Sequence, residues 1–135
     1  MFSRYALSFS SLLGASAVFG GAYASHALSG AAQLTMQTAI QYLFIHCIVC
    51  IAVSLYRLHQ RDNIVKNKLV NTKKYWLCDL ALLFWILGMF LFSLNLAANT
   101  LLEAWPLSFL TPVGGICYAF GWLSLATHGI FLRIE

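Results

Sequence analysis

The chain has 135 residues, of which 61% are hydrophobic and only 9% are charged, and its formal net charge is +4. A soluble globular domain carries about one quarter charged residues, so this composition argues against a water-facing surface and for a protein that lies in lipid. The Lys and Arg residues are few and locally placed, which argues against a nucleic-acid-binding surface. All four cysteines lie inside apolar runs, whereas the disulfide framework of a secreted protein would place them in loops.

The spacing of charged residues predicts four membrane-spanning helices. No Asp, Glu, Lys or Arg occurs in the 52 residues between Arg4 and Arg57, and the 58 residues between Lys74 and Arg133 contain two. One span needs about 20 residues, so each stretch is long enough for two helices and a turn. We therefore predict a single-domain, all-α integral membrane bundle of four transmembrane helices. Their predicted ranges are 5–28, 36–57, 74–97 and 112–132, with a basic loop at 58–73.

The distribution of basic residues predicts the orientation of this bundle. With four spans, the N-terminus, the loop at 58–73 with its flanks, and the C-terminus share one side of the membrane, and those segments hold all eight Lys and Arg residues. The opposite side carries Glu103. The positive-inside rule then predicts that both termini of this multi-pass protein are cytoplasmic.

The first helix carries small residues at a spacing that lets another helix approach closely. Gly20 and Gly21 belong to two adjoining stripes of Gly, Ala and Ser with i, i+4, i+8 spacing. Two interpretations stay open, tight packing within one chain and a contact face between copies. The run preceding Ala22-Tyr23-Ala24 also fits a cleavable signal peptide, but we predict a retained helix. His26 lies at the outer end, and Leu28-Ser29-Gly30 is typical of a helix stop and turn.

The second helix contains polar groups inside the predicted membrane. Gln37 and Gln41 share one face at i, i+4 near the outer side, whereas His46 lies deeper and points about 140° away from Gln41. The pair Cys47 and Cys50 could form a redox motif or half of a zinc site. Because both lie in mid-membrane on an apolar helix, with no second Cys-x-x-Cys, we interpret them as core-filling thiols.

The third helix places Asp79 about one turn inside the inner boundary. We predict a salt bridge to Lys73, Lys74 or Arg133, and the alternative is a protonatable carboxylate of a transporter. At the other end, the segment 99–109 is predicted to connect the third and fourth helices along the outer surface.

The stretch Thr111-Pro112 predicts the start of the last helix, with a hydroxyl near the cap and a proline in the first turn. The glycines that follow are predicted to allow close helix packing. They are Gly114, Gly115 and Gly121.

Six polar side chains are predicted to lie at one level of the outer leaflet, because they end or begin the four helices there. Unpaired polar groups are costly in hydrocarbon, so we expect these side chains to find partners. One interpretation is a hydrogen-bond network that fixes the helix ends, and the other is a small polar pocket with His26 as its titrating group. The six are His26, Gln37, Gln41, Ser93, Asn95 and Thr111.

Four sequence patches resemble the small inner-membrane proteins of the YgdD type, a family with eukaryotic transmembrane relatives. The resemblance implies a multi-pass protein of the cell inner membrane with four helices, and it implies no particular activity. The patches are Gly21-Ala22-Tyr23-Ala24-Ser25-His26-Ala27-Leu28, Gln37-Thr38-Ala39-Ile40-Gln41-Tyr42 with His46, Leu91-Phe92-Ser93, and Thr111-Pro112-Val113-Gly114-Gly115 with Gly121-Trp122.

Three functions compete at this point. The favoured hypothesis is a non-enzymatic helix bundle without cofactor or metal, which contacts the lipid bilayer and packs with itself, as a homo-oligomer, or with a larger membrane complex. The second is a small transporter or pore that uses the outer-leaflet polar residues. The third is a haem or metal protein that uses His26, His46 and His128, although their predicted depths are outer, middle and inner.

Overall fold

The described part of the chain consists of helices joined by short connections. The computed structural model describes the backbone of residues 2–67, 75–102 and 105–132, and the side chains of residues 2–62, 75–102 and 105–131. In chain order the elements are α1 (Phe2–Ala27), α2 (Gly30–Asn67), α3 (Trp76–Gly88), a π-helical segment (Met89–Leu94), α4 (Asn95–Leu101), a 3-10 turn (Ser108–Leu110) and α5 (Thr111–Leu132).

Within the described residues, four stretches of helix are long and apolar enough to cross a membrane. The third stretch is composite, because α3, the π segment and α4 follow one another without a break. The predicted all-α bundle of four transmembrane helices is therefore confirmed. The four stretches are Phe2–Ala27, Gly30–Asp62, Trp76–Leu101 and Ser108–Phe131.

The turn between α1 and α2 lies where the sequence predicted a stop. α1 ends at Ala27 and α2 begins at Gly30, whose φ of 59° is in the left-handed region. A side chain at this position would strain the backbone, so glycine is the residue that permits so short a connection.

The boundaries of α2 differ from the predicted range of 36–57. The helix begins at Gly30 and continues to Asn67, so the first ten residues of the predicted loop 58–73 are helical. Residues such as Leu58, Gln60 and Arg61 are good helix formers, and leaving the hydrocarbon does not by itself end a helix. The remaining loop residues, including Lys68 and Lys73, lie outside the described part of the chain.

The π segment was not predicted and shapes the contact between the third and fourth spans. Here α5 approaches so closely that a Cβ atom at Gly114 would overlap the main-chain nitrogen of Phe92. About two turns further along, a Cβ atom at Gly121 would overlap the indole of Trp85. Gly115 is less restricted, since its added Cβ would lie 3.7 Å from the Phe92 ring. Glycine at positions 114 and 121 thus permits this close contact between the third span and α5, which we call the seam.

The predicted small-residue face of α1 packs against α2 within the same chain. A Cβ atom added at Gly20 would lie 3.3 Å from the Cδ1 atom of Ile40, and one added at Gly21 would lie 4.0 Å from its Cγ2 atom. Ala17 and Ala24 are buried in the same contact. The interpretation as packing within one chain therefore accounts for this inward part of the stripe.

The core lies where α2, the third span and α5 meet. Trp85, Leu82 and Met89 are fully buried there, and α3 packs along α5 while α2 contacts the π segment and α4. α1 packs mainly on α2 and touches α3 much less. Within one copy of the chain, the edge formed by α1 and α2 is therefore exposed over much of its length.

Candidate functional site

A buried imidazole lies at the centre of the bundle. His46 is 3% exposed, its Nδ1–H donates to the Tyr42 carbonyl oxygen at 2.7 Å, and the indole N–H of Trp122 donates to its Nε2 at 3.2 Å. A carbonyl can only accept and an indole N–H can only donate. The ring therefore carries its hydrogen on Nδ1 and is neutral, with both nitrogens used by α2 and α5.

The tyrosine of α5 joins this imidazole to the π segment. The Tyr118 ring stacks on His46 with ring centroids 3.6 Å apart and planes inclined by 14°. Its hydroxyl is hydrogen-bonded to the Ser93 hydroxyl at 2.8 Å, and both residues are buried. Space for the ring comes from Gly88, where a Cβ atom would overlap it. The result is a continuous polar and aromatic connection across three spans.

A second polar group lies at the predicted outer end of the bundle and is centred on Asn95. Its Nδ2 donates to the Thr111 hydroxyl and to the Leu107 carbonyl oxygen, each at 2.9 Å, and its Oδ1 accepts from the Trp105 indole N–H at 2.5 Å. Asn95 is only 6% exposed. One side chain thus holds the outer connection and the start of α5 against the third span.

The predicted six-residue cluster divides into separate parts. Only Asn95 and Thr111 are hydrogen-bonded to each other, while Ser93 turns to Tyr118 instead. The other three, His26, Gln37 and Gln41, are exposed on the α1–α2 side. The two partners that the sequence analysis missed are Trp105 and the Leu107 carbonyl. The indole N–H of Trp105, close to the membrane surface, was the available signal for the first of them.

The predicted inner end of the bundle contains an ion pair between α2 and α3. The Nε–H of Arg57 donates to the Oδ1 of Asp79 at 2.8 Å, and its Nη2 contacts Oδ2 as well. The guanidinium also lies 5.3 Å from the centre of the Tyr75 ring. The predicted partners of Asp79 were Lys73, Lys74 or Arg133, whose side chains lie outside the described residues. The observed partner is Arg57, because α2 reaches the level of Asp79 with a bidentate donor.

The histidines proposed for haem or metal binding occupy three different environments. His26 is exposed, His46 is stacked on Tyr118, and His128 is buried beside the rings of Tyr56 and Tyr75 at 6.0 and 5.8 Å. Within the described ranges, no three His, Cys, Asp or Glu side chains are placed to hold a metal ion. The four cysteines are free, and Cys47, Cys50 and Cys78 are fully buried, with Cys117 half-buried.

A groove of about 400 Å³ opens between α1 and α2. Both outward glutamines line it from α2, opposite the serine and small residues of α1. Its walls are Ala17, Val18, Gly21, Ala22, Ser25, Gln37, Ile40, Gln41 and Phe44.

Comparison with known proteins supports the family resemblance. The model of the family described as "Protein of unknown function (DUF423)" matches residues 20–115. A "UPF0382 membrane protein" of Haemophilus influenzae is 33% identical over 115 residues, covering 82% of this chain and 81% of the relative. The "UPF0382 inner membrane protein YgdD" of Escherichia coli K12 is 28% identical over 137 aligned residues, covering 98% and 95%. No solved structure matches the chain. The chain therefore belongs to the DUF423 family of multi-pass inner-membrane proteins, as its YgdD-like patches predicted.

Proposed function

We propose that this inner-membrane protein is a non-enzymatic helix bundle that packs with itself or with a larger membrane complex. The observation that carries the proposal is the polarity of the α1–α2 edge. Gln37 and Gln41 are exposed there, on a surface that borders lipid. A carboxamide that faces hydrocarbon is costly unless it is hydrogen-bonded, so this edge favours association with another polar surface.

The interior supports the same proposal, because three of its polar side chains, those of His46, Asp79 and Asn95, hold neighbouring segments together. Both nitrogens of His46 are hydrogen-bonded, and Asp79 is held by Arg57. Asn95 uses both of its N–H donors and its oxygen to fix the outer connection. A group that carries a proton or a substrate must exchange partners, whereas most of these contacts join separate segments of the bundle.

Co-purification tests the proposal. Two copies with different affinity tags are expressed together, the membranes are solubilised in a mild detergent, and one tag is used for isolation. We expect the second tag, or a membrane protein in fixed ratio, to be recovered. Recovery of a single copy alone would contradict the proposal, and mixing the two membranes after lysis controls for association in detergent.

A small transporter or pore is the second candidate, and the groove between α1 and α2 is the observation that favours it. Its volume of about 400 Å³ and its two carboxamides could receive a small polar solute. Solute uptake into vesicles that depends on the protein, and that is lost in Gln41→Leu, would support this function over the first.

We also propose that both termini are cytoplasmic, which rests on the location of all eight Lys and Arg residues on one predicted side. A reporter fused after Glu135 should be active in the cytoplasm. A cysteine at Glu103 should react only with reagent added outside. Outside labelling of a cysteine at Lys68 would contradict this orientation.

A further inference from the structure

The two outward glutamines form a polar strip on an otherwise apolar edge. Gln37 and Gln41 are one helical turn apart on α2 and both line the groove beside α1. Among the described residues, neither carboxamide has a protein hydrogen-bond partner. The hydroxyl across the groove, Ser25, donates to the Gly21 carbonyl oxygen at 3.0 Å and so donates to neither glutamine.

The depth of Gln41 makes an unpaired carboxamide unfavourable. The ion pair of Arg57 with Asp79 marks the inner polar boundary of the bundle. Gln41 lies 16 residues before Arg57 on α2, which corresponds to about 24 Å at the usual rise of a helix. The hydrocarbon layer is about 30 Å thick, so Gln41 lies inside its outer edge and Gln37 close to that edge.

We infer that the α1–α2 edge is the contact surface between two copies of this chain, related by a two-fold axis along the membrane normal. The inference rests on the proposed function and specifies its self-association. Two copies inserted in the same orientation hold Gln41 at one depth. A carboxamide has both donors and an acceptor, so two of them can form a reciprocal pair across the axis.

Lipid alone satisfies these side chains less completely. The ester carbonyls of a phospholipid near this depth accept hydrogen bonds but donate none, so they leave the Gln41 oxygen unpaired. A second copy brings a matching donor and acceptor to the same level. The polarity of the strip therefore favours a second copy over a lipid molecule.

The shape of the edge is compatible with close contact. Ala17, Gly21 and Ala22 keep the α1 side of the groove shallow, which lets another backbone approach. The third span packs with α5, and within one copy of the chain Gln37 and Gln41 remain exposed on this edge. The surface is thus free for two-fold packing in the membrane plane.

Oxidative cross-linking in native membranes tests the inference. Gln41→Cys and, one turn nearer the surface, Gln37→Cys are made in a Cys117→Ser background, since the other three cysteines are fully buried. Ile116→Cys is the matched control, because Ile116 is 56% exposed on the outer half of α5. We expect cross-linked dimers at position 41 or 37 and none at 116.

A dilution series in lipid nanodiscs or detergent measures the dimer dissociation constant, which tests the inference independently of cross-linking. Two reciprocal hydrogen bonds of the average strength between membrane helices correspond to about an eightfold change in affinity. Gln41→Leu should therefore raise the dimer dissociation constant about eightfold, while Ile116→Leu leaves it unchanged.

The outcomes separate this inference from the proposed function. Dimers that cross-link only through position 116 overturn the inference but leave self-association intact. So does a dimer dissociation constant that Gln41→Leu leaves unchanged. A monomer with a lipid bound in the groove also overturns it. A monomer with no protein partner in the native membrane contradicts both.

Discussion

Substitution of Gly114 by alanine is expected to disturb the seam between the third span and α5 more than its size suggests. The added Cβ would lie 2.5 Å from the carbonyl carbon of Leu91 and would overlap the main-chain nitrogen of Phe92. Carbon atoms pack best at about 3.5 Å or more, so the clash is about 1 Å deep. Main-chain atoms cannot rotate away, so the two helices must separate or bend.

The cost of Gly114→Ala follows from that separation. A gap of about 1 Å removes a quarter to a half of the dispersion energy at each contact it affects, and the Ser93–Tyr118 hydrogen bond of 2.8 Å crosses the same seam. Overpacking of this kind costs about 1–3 kcal/mol. Alanine also gains about 1 kcal/mol over glycine in a helix. Gly129→Ala is the control, because a Cβ atom there meets nothing within 4 Å. This variant therefore gains helix propensity without any overpacking cost.

Thermal unfolding in mild detergent measures the difference between the two variants. A thiol-reactive fluorophore reports unfolding directly, since Cys47, Cys50 and Cys78 are buried in the folded bundle. Both variants receive the helix-propensity gain, so we expect Gly114→Ala to be less stable than Gly129→Ala by the overpacking cost of about 1–3 kcal/mol, seen as a transition several degrees lower. Equal transitions for the two variants would refute the close approach at Gly114.

Three further predictions concern the buried polar contacts. Asn95→Leu should make the outer connection more sensitive to protease added outside, because three hydrogen bonds are lost, whereas normal resistance would show that Asn95 does not hold it. Asp79→Ala should destabilise the bundle more than the double variant Asp79→Ala with Arg57→Leu, because the single variant leaves Arg57 unpaired. The coupling energy expected for this partly exposed pair is about 1 kcal/mol, and additive losses in unfolding assays would contradict the ion pair. His46→Phe should cost about 1–3 kcal/mol by leaving the Trp122 indole N–H unpaired, and the same substitution in a Trp122→Phe background should cost less.

Much of the fold could be predicted from one-dimensional features of the sequence. The spacing of charges predicts the number of spans because hydrocarbon tolerates few charges, and four spans are observed. The start of the last helix was also predicted, and α5 begins at Thr111 with Pro112 as its second residue. Proline suits the first turn because the N–H groups of that turn have no partner within the helix, so the absence of an N–H costs no hydrogen bond.

The direction in which a side chain points around its helix was harder to predict. Gln41 and Asn95 were placed at one level from helix lengths alone, yet Gln41 faces outward and Asn95 faces the outer connection. Depth follows from residue spacing, whereas direction relative to neighbouring helices depends on which helices pack together. The angular offset between His46 and Gln41 was predictable because both lie on α2, and His46 is indeed buried.

The π segment has no local sequence signal that distinguishes it from an ordinary apolar helix. Its residues, Met89–Leu94, would fit an α-helical span equally well by hydrophobicity. The features that accompany it come from other parts of the chain, since Gly114 lies against its backbone and Tyr118 is bonded to Ser93. Such a segment is frequent at functional sites, and here it supports the central contact among three spans.

The mass of the complex in native lipid nanodiscs, cut from the membrane without detergent, tests the central proposal most directly. One copy of the chain has a mass of 15.0 kDa. Association with itself predicts a complex of at least two copies, and association with a larger assembly predicts one copy plus the mass of a defined partner. A single 15.0 kDa chain with no bound protein, at the expression level of the native gene, would contradict the account.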